Sequence, residues 1–281
     1  MQSDIMAITD PEYTDADFQR VRGIAKDVAG IFLPESKRTL VYSRVARRVR
    51  ENAKASFRDY LDFVQGPAGQ IELEKLICAL TTNVTSFFRE KNHFTHLEGE
   101  VMPALSSRAR AGGRVRLWSA ACSTGPEPWS MAMSIMSVFP EAPTYDVRIL
   151  ATDINSNVVA QAASGLYPEA ETEGISLDMR NRFMEPAGQG QLRFAGPICG
   201  LPAFRVLNLN AEWPMKGLFS AILCRNVVIY FDEVTRERLW RRLADKLEPG
   251  GFLYVGHSER VVSLRECGLE QVAPTIYRKG G

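Results

Sequence analysis

The chain has 281 residues, a formal net charge of +1, 45% hydrophobic residues and 24% charged residues. That length suggests about two domains, and the near-neutral balance excludes a wholesale nucleic-acid binder. No apolar run approaches the roughly 20 residues of a membrane span, and Met1-Gln2-Ser3-Asp4 lacks the basic start and apolar core of a signal peptide.

Five scattered cysteines (Cys78, Cys122, Cys199, Cys224, Cys267), never spaced C-x-x-C, argue against a disulfide framework or zinc site and for a reducing cytosol. They read as small buried apolar residues.

Residues 1 to about 13 read as a loose tail. Thr14-Asp15-Ala16-Asp17 fits a capping box, with Phe18, Val21, Ala25 and Val28 on one helical face before Gly30. A second helix is predicted from near Pro34 to about Asn52, with Val41, Val45 and Val49 on its buried side. Its other side carries Lys37, Arg38, Arg44, Arg47, Arg48 and Arg50, and Glu51 is the only acid between Lys37 and Lys54. So one-sided a cluster suggests an acidic partner, phosphates or an acidic protein helix, against the plainer reading of a solvated face.

Ser56-Phe57-Arg58-Asp59 offers another capping box for a helix through about Gln65, broken at Gly66-Pro67-Ala68-Gly69. Leu73, Leu76, Ile77 and Leu80 resume helical spacing. The first 80 residues therefore read as a small all-α domain. The stretch from Thr81 to Arg89 fits neither helical nor strand period, and such a linker is where ligand-facing side chains often sit. A further helix is predicted over residues 90 to 111.

From residue 81 to 281 the pattern becomes an alternation of strands and helices, which implies an α/β domain with an open, mostly parallel sheet. Arg114 to Trp118 is a strand, and Trp129 to Phe139 a helix. Between them lies Ser119-Ala120-Ala121-Cys122-Ser123-Thr124-Gly125-Pro126-Glu127-Pro128. Strand, small-residue turn and helix start place backbone N–H groups against a ligand, although one glycine makes no nicotinamide or flavin fingerprint. Strands are also predicted over Tyr145 to Ala151, Phe204 to Leu209, Phe219 to Cys224, Phe252 to Val255 and Thr275 to Arg278, the last closing the sheet. Helices are predicted from Ser156 to about Ala163 and through Leu239, Leu243 and Leu247, stopping at Pro249-Gly250-Gly251. Asp153 follows Gly125 by about 28 residues, near where an open α/β site puts an acid on ribose hydroxyls. Residues 165–203, rich in glycine and proline, read as a small β insertion, either a tolerated surface feature or a partner-binding one.

Five segments in this order resemble the CheR-type chemotaxis receptor methyltransferases, which methylate receptor glutamates with S-adenosylmethionine. They are Thr82-Asn83-Val84-Thr85-Ser86-Phe87-Phe88-Arg89, the Ser119–Pro128 turn, Ala151-Thr152-Asp153-Ile154, Cys224-Arg225-Asn226-Val227-Val228-Ile229-Tyr230-Phe231-Asp232, and Gly256-His257-Ser258-Glu259. The resemblance covers about Thr14 to Arg278. It implies an S-adenosylmethionine-type fold, with the helical domain docking on acidic cytoplasmic helices of methyl-accepting receptors through Arg44, Arg47 and Arg48. It implies cofactor contacts from Asn83, Thr85 and Arg89, Glu127 at the methionine part, Asp153 at the ribose, Asn208 and Leu209 on the adenine side, and Arg225 and Asn226 completing the pocket. Arg89, clamping a carboxylate, and Tyr230, orienting the acceptor oxygen or methyl, are the implied catalytic residues. The product would be S-adenosylhomocysteine. A cytoplasmic monomer is expected, with no metal, nucleic acid or membrane insertion, and His257 reads as structural.

Pro126 departs from the second glutamate common in relatives. Gly188-Gln189-Gly190 is shorter than the glycine-rich loop of relatives that grip a receptor tail peptide, so such tethering is not expected. Two other readings compete: an RNA methyltransferase holding phosphates on the basic helix, which lacks an aromatic stacking platform, and a cofactor-sensing module without turnover.

Overall fold

The computed structural model describes residues 12–281, so the tail expected over residues 1 to 13 lies almost wholly outside the described residues. The chain divides into two units between Thr81 and Thr82.

The first unit holds four helices: α1 (Asp15–Ala29), α2 (Arg38–Glu51), α3 (Phe57–Gln65) and α4 (Gln70–Leu80). The Thr14 box forms in full: its hydroxyl accepts from Asp17 N, and the Asp17 carboxylate accepts from Thr14 N. Gly30, at φ 72°, ends α1 in the left-handed region that glycine enters without strain. At α3 only half a box forms, Ser56 accepting from Asp59 N. Val41, Val45 and Val49 are buried as their spacing requires, while Val28 is half-buried.

The second unit opens with an irregular segment and then α5 (Lys91–His96) and α6 (Met102–Arg110). The single helix expected over 90 to 111 is interrupted by a π turn at Leu97–Val101. Pro103, the second residue beyond it, has no N–H to return to the preceding turn, which favours the wider ladder there.

Strand β1 (Val115–Ala120) leads to α7 (Pro126–Val138), β2 (Val147–Asp153), α8 (Ser156–Ser164), β3 (Leu166–Pro168), α9 (Leu177–Phe183), β4 (Met184–Gly188), β5 (Gln191–Phe194), β6 (Pro202–Val206), β7 (Phe219–Cys224), α10 (Glu233–Asp245), β8 (Leu247–Val255), α11 (Leu264–Cys267), β9 (Leu269–Ala273) and β10 (Ile276–Lys279). Seven strands form one sheet in the order β6-β2-β1-β7-β8-β10-β9. The first five run parallel, and β10 is antiparallel to both β8 and β9. Three more form a separate antiparallel sheet, β3-β5-β4.

The period of two is legible in the core. Leu117, Ala221 and Leu223 face one apolar layer with Met131, Met133 and Ile135 of α7. Trp118, Ile222 and Cys224 face the other, with Leu239, Trp240 and Leu243 of α10. Helices on both faces force the sheet to be apolar on both sides.

Four sequence expectations shift. The last strand does not close the sheet, because β9 lies outside β10; with Glu270 and Gln271 at its centre it carries no apolar alternation. Strand β8 starts at Leu247 and runs through Pro249-Gly250-Gly251, where its register against β7 slips. Gly250 has φ 77°, and a Cβ on Gly251 would stand 2.9 Å from Glu248 O, so these glycines allow a bulge rather than ending a helix. Strand β6 stops at Val206, leaving Asn208 and Leu209 in the loop beyond it. Cys199 is exposed and Cys78 half-buried, against the expectation of burial; Cys122, Cys224 and Cys267 are buried, and all five are free thiols.

Candidate active site

In the sheet order, β1 is followed by β2 on one side and β7 on the other, and the crevice at such a reversal is where open α/β sheets take ligands. The strand ends are level there: Ala120 pairs with Thr152 and Cys224, Cys224 with Val255, and Asp153 with Val206. All five segments singled out in the sequence belong to this second unit, and four of them cover or follow these strand ends.

The backbone at this edge is strained. Among the described residues, eight non-glycine residues have positive φ. Five of the eight, Phe88, Glu90, Ala121, Ser123 and Asn226, lie in or beside the five segments, and strain concentrated in this way marks functional loops. Gly125 has φ 100°, and a Cβ there would meet Tyr167 Oη at 2.6 Å and Ala162 Cβ at 2.7 Å. Tyr167, in the small antiparallel sheet, donates to Thr124 O at 2.7 Å and so braces the turn.

Asp153 ends β2, 7% exposed, and accepts from Ser123 N at 2.9 Å and Asn155 N at 3.0 Å. Burial pushes its pKa up, and the backbone N–H groups pull against that. The Ser123 hydroxyl donates to Asn83 O at 2.9 Å, which ties the irregular segment to the turn.

Glu127 sits in the first turn of α7. Its Oε1 accepts from Ser119 Oγ at 2.6 Å, and its Oε2 lies 3.2 Å from Arg225 Nη1. Burial raises the Glu127 pKa, opposed by the Arg225 charge. Arg225 also donates to Arg89 O and stands 3.4 Å from Glu90 Oε2. For Glu90, burial acts upward, yet Arg225 and the His257 N–H outweigh it and hold the carboxyl below its usual range. His93, buried beside it, is pushed down to about 4, first by burial and then by Arg225, so it is neutral at pH 7. His257 is exposed and bonds Glu90 Oε1 through its N–H at 3.1 Å and its ring Nδ1 at 3.0 Å.

The structure thus joins Asn83 to Asp153 through Ser123, and Arg89 to Glu127 through Arg225, in two hydrogen-bonded sets. Arg89 enters through its carbonyl, while its half-buried guanidinium reaches Val84 O at 3.4 Å. Thr85 is half-buried in the same segment. Tyr230, in a 3₁₀ turn after β7, is half-buried against the α10 layer. Asn208 Oδ1 accepts from Asn210 N at 2.8 Å, and Leu209 O accepts from Arg242 Nη1 at 2.7 Å. Sequence reasoning passed over Glu90, although it directly follows Arg89; its partners lie 135 and 167 residues downstream, and no local pattern signals them.

The donor set fits S-adenosylmethionine. Each carboxylate offers about four acceptor positions. Asp153 and Glu127 therefore keep capacity for hydroxyl and ammonium donors, and Arg225 Nε is buried with no hydrogen-bond partner among the described residues.

The family described as "CheR methyltransferase, SAM binding domain" matches residues 83–275, and "CheR methyltransferase, all-alpha domain" matches residues 16–81. The chain belongs to the CheR methyltransferase family. Its larger unit is accordingly an S-adenosylmethionine-binding methyltransferase domain. It is 46% identical over 253 residues to a "Probable chemotaxis protein methyltransferase" of Rhizobium etli, covering 89% of this chain and 94% of that one. It is 38% identical over 272 residues to a "Chemotaxis protein methyltransferase" of Klebsiella aerogenes, covering 95% and 88%. It is also 38% identical over 251 residues to the protein of that name in Escherichia coli K12, covering 88% and 85%.

In the first unit, the three arginines expected to dock a receptor differ in their surroundings. Arg44 donates to Leu80 O and Thr81 O, each at 2.9 Å. Arg48 binds the buried Glu72 of α4 through Nε at 2.7 Å and Nη2 at 2.5 Å, with Tyr60 Oη donating to Glu72 Oε1 at 2.9 Å. Arg47 is 78% exposed and pairs only with Glu51 among the described residues. No helix of the described residues is long and apolar enough to cross a membrane.

Proposed function

We propose that this methyltransferase esterifies glutamate side chains of chemotaxis receptors on the cytoplasmic side, acting as a monomer and docking through α2. The observation that carries the reading is the convergence of Glu127, Asp153 and Arg225 at the switch point of an S-adenosylmethionine-binding domain preceded by a basic helix. The relatives' description as chemotaxis protein methyltransferases supports the receptor as substrate.

S-adenosylmethionine supplies a sulfonium methyl that a carboxylate oxygen can take directly, the carbon–sulfur electron pair staying on sulfur. A glutamate is already ionised at neutral pH, so no residue need serve as base. The protein's contribution is alignment and exclusion of water. Asp153 holds the ribose hydroxyls with its remaining lone pairs, and Glu127 the amino group. Asn83 and Thr85 close the pocket from the irregular segment, Asn208 and Leu209 border the adenine, and Asn226 completes the wall. Arg89 clamps the acceptor carboxylate, and Tyr230 orients the acceptor oxygen.

The short Gly188-Gln189-Gly190 turn supports receptor capture without a tail-peptide grip; tight binding of such a peptide would overturn that part. The deciding experiment incubates the protein with labelled S-adenosylmethionine and receptor-bearing membranes, then applies mild alkali. Release of volatile labelled methanol is expected from a carboxyl ester. Alkali-stable label would sink the reading in favour of N- or ribose methylation. Tight cofactor binding with no incorporation would instead mark either a mismatched receptor or a sensor without turnover.

A further inference from the structure

Of the Gly256-His257-Ser258-Glu259 segment only His257 enters the contacts described above, yet the segment's last residue is buried, 3% exposed, beneath the loop that carries Arg225, Asn226 and Tyr230. Glu259 Oε2 accepts from Asn226 N at 2.9 Å and Gly256 N at 2.6 Å, and Oε1 accepts from Val228 N at 3.0 Å. These partners are main-chain N–H groups on the loops after two adjacent parallel strands, β7 and β8. Without the carboxylate, Val228 would leave a buried donor unpaired and Asn226 a part-buried one. Asn226 is held at φ 58°, a left-handed conformation that costs free energy and persists only under such constraint. A side chain at Gly256 could not coexist with this packing: a Cβ would stand 2.5 Å from Asn226 Nδ2 and 2.8 Å from Glu259 Oε2.

We propose that Glu259 is a positioning residue that staples the loop after β7 to the loop after β8, fixing Asn226 and Arg225 in their cofactor-facing geometry. A carboxylate suits the task because every acceptor position can meet an N–H, whereas a glutamine would turn an NH₂ toward one of the three donors. The inference rests on the cofactor site proposed above. Part of its test does not.

Hydrogen exchange in the ligand-free protein is compared for wild type and Glu259→Gln, with S-adenosylhomocysteine affinity and thermal unfolding measured alongside. The expected result is at least tenfold faster exchange across residues 225–231, unchanged exchange in β1, and roughly tenfold weaker S-adenosylhomocysteine binding at temperatures where the variant is folded. A lowered melting temperature with unchanged loop exchange and affinity would overturn the proposal, since it describes a merely structural carboxylate. Should Glu259→Gln not fold, Gly256→Ala decides alone, because it crowds the staple while keeping the charge; wild-type exchange and affinity in that variant would overturn it equally. If wild type itself binds no S-adenosylhomocysteine, the site reading fails while the exchange comparison still tests the staple.

Discussion

Glu127 Oε2 lies 3.2 Å from Arg225 Nη1, and the Arg225 side chain is 2% exposed. One buried guanidinium therefore serves two acids, Glu127 and Glu90, and the Arg89 carbonyl. Arg225→Lys cannot reproduce that fork, because an ammonium is a compact point charge. The expected outcome is at least tenfold weaker S-adenosylhomocysteine binding by calorimetry and a loss of about 1–3 kcal/mol in the second unit, the size typical of a buried acceptor left without its hydrogen bond. Wild-type affinity in this variant would mean that the network does not shape the pocket.

The raised pKa of Glu127 has opposite consequences for binding and for stability. Only the ionised form pairs with Arg225 and takes an ammonium donor. Affinity for S-adenosylhomocysteine should therefore fall as pH drops from neutral toward the ordinary carboxylate range, and Glu127→Gln should flatten that limb. For stability the sign reverses. A carboxyl whose folded pKa is raised contributes stability below its unfolded pKa and loses it as pH rises through the folded value. Ligand-free Glu127→Gln should thus unfold no more easily than wild type at pH 7, and denaturant titration checks this.

The basic helix separates into scaffold and surface. Arg48→Ala leaves Glu72, 5% exposed, with Tyr60 as its main partner, and should destabilise the first unit by about 3 kcal/mol. Burial raises the Glu72 pKa, but the bonds from Arg48 and Tyr60 outweigh it and the net shift is downward. This pair's contribution is therefore present above the unfolded carboxylate pKa and lost as pH falls through the folded one. Arg47→Glu, on the exposed face, should cost less than about 0.5 kcal/mol yet weaken receptor methylation several-fold without touching cofactor affinity. Reversing Arg44, Arg47 and Arg48 together would confuse the two effects. If Arg47→Glu leaves the receptor KM unchanged, docking lies elsewhere.

Tyr230→Phe keeps the half-buried ring and removes only the hydroxyl. Turnover should fall roughly ten- to a hundredfold, with S-adenosylhomocysteine affinity within about twofold of wild type. Single-turnover methyl transfer separates the steps, and an unchanged rate would return Tyr230 to a packing role.

Gly125→Ala tests the turn after β1. With φ 100° and Tyr167 Oη 2.6 Å from the new methyl, it should destabilise the second unit by about 3 kcal/mol, read as a shifted denaturation midpoint. Tyr167→Phe should relieve none of the backbone part of that cost.

The sequence by itself determined the two-domain division, most of the longer elements, the caps at Thr14 and Ser56 and the five segments. Those are local signals: the Thr14 box, the four-residue valine spacing of α2, and small-residue turns at strand ends. Tertiary structure decided what no period encodes. Glu72 is one of three charged residues on α4, and only the approach of α2 pairs it with Arg48. Strand β9 has no apolar alternation because it is a sheet edge, so only its pairing with β10 reveals it. Glu90 meets Arg225 and His257, and Glu259 meets Asn226 and Val228, because parallel strands bring their carboxyl ends level whatever chain lies between. Hydrophobic periodicity records which face a residue turns to its own element's core; the partners of a buried charge depend on which strands become neighbours, and that is fixed only when the sheet is assembled.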